Sequence, residues 1–197
     1  MSEWWTYRLS DFLMFSPSTY WRLVEHYNRD VWPLHFLTIA AGAILLWWVA
    51  AQRPAAETVV AAVLAPMWLW VGWAFHWQRY APINWAAVYL AMAFALQALL
   101  FAVAALAKGG DVQPAGPLVR TCGLALAAIG VLLYPLIALA AGRPWSLSEV
   151  FGVMPGPTAM GTWGLLLLAG QPHRQWLAVI PALALLAELA TRWAFQG

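Results

Sequence analysis

Within the long apolar stretches of this 197-residue sequence only a few side chains could do chemistry, and Glu188 stands first among them. It precedes Phe195 by seven residues, which places it about 10 Å inside the last apolar stretch at about 1.5 Å per helical residue. A charge near the middle of a spanning helix costs about 2.5–3.5 kcal/mol on insertion scales, so it calls for a partner or a use. Arg192 follows at i+4, within reach of an ion pair, and Pro181 and Ala184 continue the same face with small side chains. A carboxylate so placed suits proton-linked binding of a solute or an ion. The plain alternative is a structural pair that fixes helix register.

Further polar groups fall on the same half of the apolar stretches. His35 shares a helical face with Thr38 and Gly42, and His76 shares one with Trp68 and Gly72, beside a ridge of Trp70, Trp73 and Trp77. Tyr134 lies late in the fourth stretch. Thr158 opens a short fifth segment whose first N–H groups and positive dipole end would suit an anion or a carboxylate. Together His35, His76, Tyr134, Thr158, Glu188 and Arg192 predict one ligand-binding pocket for a small solute or ion. Each has a bland reading too, as an interfacial polar residue or a structural one. The stripes Gly123, Ala127, Gly130, Tyr134 and Asn84, Ala87, Ala91, Ala95, Ala98 read most simply as close helix packing.

Other chemistries have less support. His26, His35 and His76 could approach one another for haem or metal, but no HxxxH, HExxH or Glu-x-x-His element accompanies them, and the sequence names no cofactor. No serine or cysteine sits in a nucleophile turn, so no catalytic residue is assigned. The single Cys122 excludes an internal disulfide, and ten dispersed Lys and Arg with a net charge of +2 exclude a nucleic-acid surface. A second functional reading is a non-catalytic accessory or assembly subunit, which would meet a membrane-protein partner or another copy of itself through the aromatic ridge and the small-residue stripes. A third is an intramembrane metal- or haem-binding protein.

The elements that must position these residues follow from composition. With 63% hydrophobic and 9% charged residues the chain cannot cover itself with a water-soluble surface, so the bilayer is its expected partner. Apolar stretches near 31–51, 55–77, 83–107, 118–141, 151–170 and 175–195 predict an all-α, polytopic membrane bundle of six transmembrane helices over residues 31–197. The fifth is short. Pro157 to Gly170 gives about 21 Å of helix, so either the helix starts earlier, through an irregular stretch from about Glu149, or that loop dips into the interior. Before the first span, Ser16-Pro17 reads as a helix start, and Tyr20, Leu23, Val24 and Tyr27 at helical spacing predict a short interfacial amphipathic helix within the segment 1–30. Met1 to Asp30 mixes acids into its apolar residues and does not read as a cleavable signal.

Six crossings leave both termini on one side, here side A. That side carries Arg8, Arg22, Arg29, Arg79, Arg143 and Arg192 against Arg53, Lys108, Arg120 and Arg174 opposite, which predicts that side A is cytoplasmic. Of the fifteen Trp, nine (Trp4, Trp5, Trp21, Trp32, Trp73, Trp77, Trp85, Trp145 and Trp193) fall toward side A. The polar pocket therefore belongs to the cytoplasm-facing half.

Several short motifs, in order, carry a resemblance. Tyr27-Asn28-Arg-Asp-Val-Trp32-Pro33, Trp68-Leu-Trp70-Val-Gly72-Trp-Ala-Phe-His76, Ile83-Asn84-Trp-Ala-Ala87, and Tyr134-Pro135 followed by Phe151-Gly-Val-Met-Pro155-Gly-Pro157-Thr158 resemble a family of bacterial multi-pass membrane proteins classified only as a domain of unknown function. The resemblance runs from about Phe12 to Arg192. It implies six helices and a bacterial inner membrane, and it implies no activity. In that family the last motif usually has cysteine between its prolines, where this chain has Gly156.

Overall fold

The structure is a computed structural model, described here for residues 15–107, 116–170 and 174–195. Arg8, Trp4, Trp5 and Lys108, which entered the orientation argument, lie outside the described residues. All regular structure among the described residues is helical, and each of the six apolar stretches contains a helix.

Ser16 caps α1 (Pro17–Asp30), its hydroxyl accepting from Thr19 N, with proline in the first turn. A sharp corner of 86° separates α1 from α2 (Leu34–Ala50). The face of α1 that reads as amphipathic is covered by protein, for Tyr20, Val24, Tyr27 and Asn28 are buried against the bundle. Next come α3 (Ala56–Tyr80), α4 (Ala87–Leu106), α5 (Pro117–Leu133), the short α6 (Pro135–Ala140), α7 (Pro155–Ala169) and α8 (Gln175–Ala194). Two helices widen before they end. The last ten residues of α3, Val71–Tyr80, and the last five of α5, Ile129–Leu133, form π-type turns. Tyr134 N donates to Ile129 O at 2.7 Å, and Pro135, which has no N–H, cannot continue the ordinary ladder, so α6 starts a new helix there.

At the centre stands α7, almost wholly buried. Small residues let it approach its neighbours. A Cβ added at Gly130 would lie 2.7 Å from Gly161 Cα, and one at Gly164 would lie 2.6 Å from Ala127 Cα. The α5 stripe of Gly123, Ala127 and Gly130 thus serves close packing, as its spacing suggests. On α4 the stripe holds at Ala87, Ala91 and Ala98, while Ala95 faces outward and Gln97 is buried instead, its Nε2 donating to Leu177 O at 3.0 Å. Trp68, also fully buried, donates to Thr162 Oγ1 at 2.9 Å and ties α3 to α7.

Among the described residues three helices, α3, α4 and α8, are long and apolar enough to cross a membrane, or four if α1 and α2 count as one bent pair. Leu37, Ile44, Leu69, Leu99, Leu183 and Leu189 are among the large apolar side chains on the outer surface.

Candidate functional site

The charges converge at the end of the bundle where α8 finishes and α7 begins. On α8, Arg192 Nε donates to Glu188 Oε1 at 2.8 Å, the i+4 pair expected from the sequence. Its Nη2 donates in addition to Glu149 Oε2, so one guanidinium bridges two carboxylates. Glu149 is the deepest of the three, 5% exposed, against 11% for the Glu188 side chain and 24% for that of Arg192. Its other oxygen, Oε1, is buried with no partner. Burial, helped by the charge on Glu188 and opposed by Arg192, pushes the Glu149 carboxyl up to about 7. The Arg143 guanidinium lies 4.0 Å over the Trp21 ring, with Arg192 5.8 Å from the same ring.

Backbone positions Glu149 from an irregular segment. Ser148 is extended (φ −71°, ψ 138°), and its hydroxyl donates to Pro135 O at 3.0 Å. Glu149 faces Arg192, while Ser148 and Val150 line a groove of about 280 Å³. This groove lies in the corner between α1 and α2, walled by Trp32, Phe36, Ile39 and Trp145, with Asn28 and His35 among its polar lining. Asn28 clamps the segment to α1, since its Nδ2 donates to Ser146 O and Ser148 O, both at 2.9 Å. Its Oδ1 then accepts from His35 Nε2 at 3.2 Å, which leaves His35 Nδ1 buried and unpartnered.

The six residues expected to line one pocket are therefore divided. Tyr134, Glu188 and Arg192 come together: a Cβ added at Gly156 would lie 2.8 Å from Tyr134 Oη and 3.4 Å from Glu188 Cγ. That contact places the position at which the resemblance has cysteine directly against the charged cluster. His35 belongs to the groove, on the other side of the 148–150 segment. His76 is 3% exposed among Phe75, Tyr80 and Phe94, its ring centroid 4.6 Å from that of Phe94. Thr158 is a structural pin, because its hydroxyl donates to Met154 O at 2.6 Å and accepts from Gly152 N at 2.8 Å. Nor does the start of α7 present a row of free N–H groups. Pro155 and Pro157 have none, and Thr158 N bonds Met154 O at 3.3 Å.

Sequence reasoning missed Glu149, Asn28 and Tyr20. Glu149 and Asn28 sit next to or within motifs quoted above, but nothing local tells which side chains a loop turns inward. Among the described residues no three His, Cys, Asp or Glu side chains gather as a metal site.

Residues 17–196 match a family of unknown function, DUF6064. The chain belongs to this family. No curated protein and no solved structure matches it. The match covers every element from α1 to α8, and with them both carboxylates, Arg192 and the groove.

Proposed function

We propose that this chain is a six-span protein of the bacterial inner membrane, with both termini cytoplasmic, that binds a small amphipathic solute on side A and links its binding or transport to a proton on Glu149. The membrane reading draws on the composition, on the three or four helices of spanning length, and on the outward apolar side chains of α2, α3, α4 and α8. On this reading α5 with α6, and α7 with residues 151–154 before it, complete the count.

The observation that carries the functional reading is a partly buried guanidinium shared by two carboxylates. Glu149, the deepest of the group and with one oxygen unpartnered, takes up a proton near neutral pH, since burial and the charge on Glu188 outweigh Arg192 and Arg143 beside it. The groove offers aromatic walls and a few polar atoms, which suits an amphipathic molecule of modest size. Because Ser148 and Val150 line the groove while Glu149 joins Arg192, a solute that shifts this segment also shifts the proton site.

Infrared spectroscopy of the protein in bilayers, titrated with pH, tests the proton site. The expected result is a protonated-carboxyl C=O band that fades as pH rises through about 7, is missing in Glu149→Gln, and survives in Glu25→Gln, which breaks the exposed i+4 pair of Glu25 with Arg29. A wild-type protein without that band, or one whose band persists in Glu149→Gln, would refute the reading.

A further inference from the structure

Behind Glu188, away from the groove, lies a second cavity of about 20 Å³. It is bounded by Tyr20 from α1, His76 and Tyr80 from the π-type turns of α3, Phe94 from α4, and Glu188 and Thr191 from α8. A water needs roughly 10–15 Å³ of space open to its centre, so this cavity takes one water and nothing much larger. His76 contributes the sharpest detail. At 3% exposure both of its ring nitrogens are buried without a hydrogen-bond partner. A neutral imidazole has one donor and one acceptor, and leaving either unpaired in an apolar cage costs about 1–3 kcal/mol. The other walls of His76 are aromatic rings of Phe75 and Phe94, which cannot supply a conventional partner.

The cause lies in the chain. Ala81 N bonds His76 O at 2.9 Å, a five-residue closure that carries the wide turns to the end of α3, and Gly72 lets α3 lie close to α4, a Cβ there falling 2.9 Å from Phe94 Cβ. Wide turns of this kind recur where a helix presents a functional group.

From the unpartnered imidazole and the water-sized cavity that it shares with Glu188, we infer that a single water joins His76 to Glu188 and, through it, to the Glu149–Arg192–Glu188 cluster. The water donates to an imidazole nitrogen and to the Glu188 carboxylate, and Tyr20 offers a phenolic donor for its lone pair. This water site does not rest on the proton reading of the preceding subsection.

Nitrogen-15 NMR of histidine-labelled protein in nanodiscs tests this, with His76→Phe used only to assign the signal. The expected result is a His76 ring-nitrogen shift of a hydrogen-bonded imidazole with a cross-peak to water, and loss of that cross-peak in Ala184→Val, which fills the cavity from its α8 wall. The infrared band of the same wild-type sample separates the two ideas. A band present with a water-free, unbonded His76 overturns the water link alone. A water cross-peak without the band supports the water site and overturns the proton reading alone. A cross-peak that persists unchanged in a folded Ala184→Val overturns the assignment of the water to this cavity.

Discussion

Replacing Arg192 by methionine keeps the length of the side chain and removes the charge that Glu149 and Glu188 share. Breaking a buried ion pair by deleting one partner costs about 3–5 kcal/mol, chiefly because the remaining charge stays buried. Arg192 is 24% exposed and Glu188 11%, so solvent softens that end and the lower part of the range applies. A loss of about 3 kcal/mol lowers the ratio of folded to unfolded protein more than a hundredfold, at about 1.4 kcal/mol per tenfold. The penalty belongs to the carboxylate charges, so it shrinks as pH falls through about 7 and Glu149 takes up its proton. Reversible denaturation in mixed micelles, run at about pH 8 and about pH 5, reads both the size and the pH dependence. Arg192→Met should be much less stable than wild type at the higher pH and close to it at the lower. Adding Glu149→Gln and Glu188→Gln should restore most of the loss at the higher pH. A deficit equal at both pH values and unrelieved by the two glutamines would mean that Arg192 acts by packing, for instance against Trp21, and would refute the charge argument.

Other outcomes follow from single contacts. The Glu149 carboxyl is raised from 4.5 to about 7, so the folded protein holds this proton more tightly than the unfolded chain; that contribution is full below 4.5 and is lost as pH rises through about 7. Denaturation midpoints of the wild type should fall across that window relative to those of Glu149→Gln. Gly164→Ala would set a Cβ 2.6 Å from Ala127 Cα, forcing α5 and α7 apart by roughly 1 Å at a cost of about 1–3 kcal/mol, whereas Gly116→Ala meets nothing within 4 Å and should be silent in the same melts. Asn28→Leu removes both donors to Ser146 O and Ser148 O, and should raise the reactivity of a cysteine placed at Ser146 toward water-soluble thiol reagents. Trp68→Phe leaves Thr162 Oγ1 without its buried donor and should lower stability by about 1–3 kcal/mol.

What could be read from the sequence was whatever repeats along a helix. The Glu188–Arg192 pair was visible because i+4 is a neighbour on any helix, and the α5 stripe because Gly123, Ala127 and Gly130 fall on one face. Glu149 was not visible. It reaches Arg192 across 43 residues from a segment without period, and only the fold decides that its side chain meets Arg192 while Ser148 and Val150 line the groove. Thr158 misled for the opposite reason: a polar side chain at a helix start looks available, yet its hydroxyl is satisfied within six residues by Met154 O and Gly152 N. His35 and His76 share an end of the bundle, as their positions suggest, but the π-type turns of α3 and the clamp by Asn28 put them in separate cavities. The short fifth segment had two readings; the helix begins only at Pro155, and the loop before it, Val150 to Met154, is buried in the interior, as the second has it.

The order Ser148, Glu149, Val150 sets a rule about length. Exchanging Val150 for another side chain changes what the groove feels and leaves the charged cluster its acid, whereas Ser148 also holds Pro135 O through its hydroxyl. Deleting or inserting one residue between Leu147 and Gly152 does something else: it displaces the acid itself from Arg192. Among relatives, this stretch should therefore vary in spelling before it varies in number of residues.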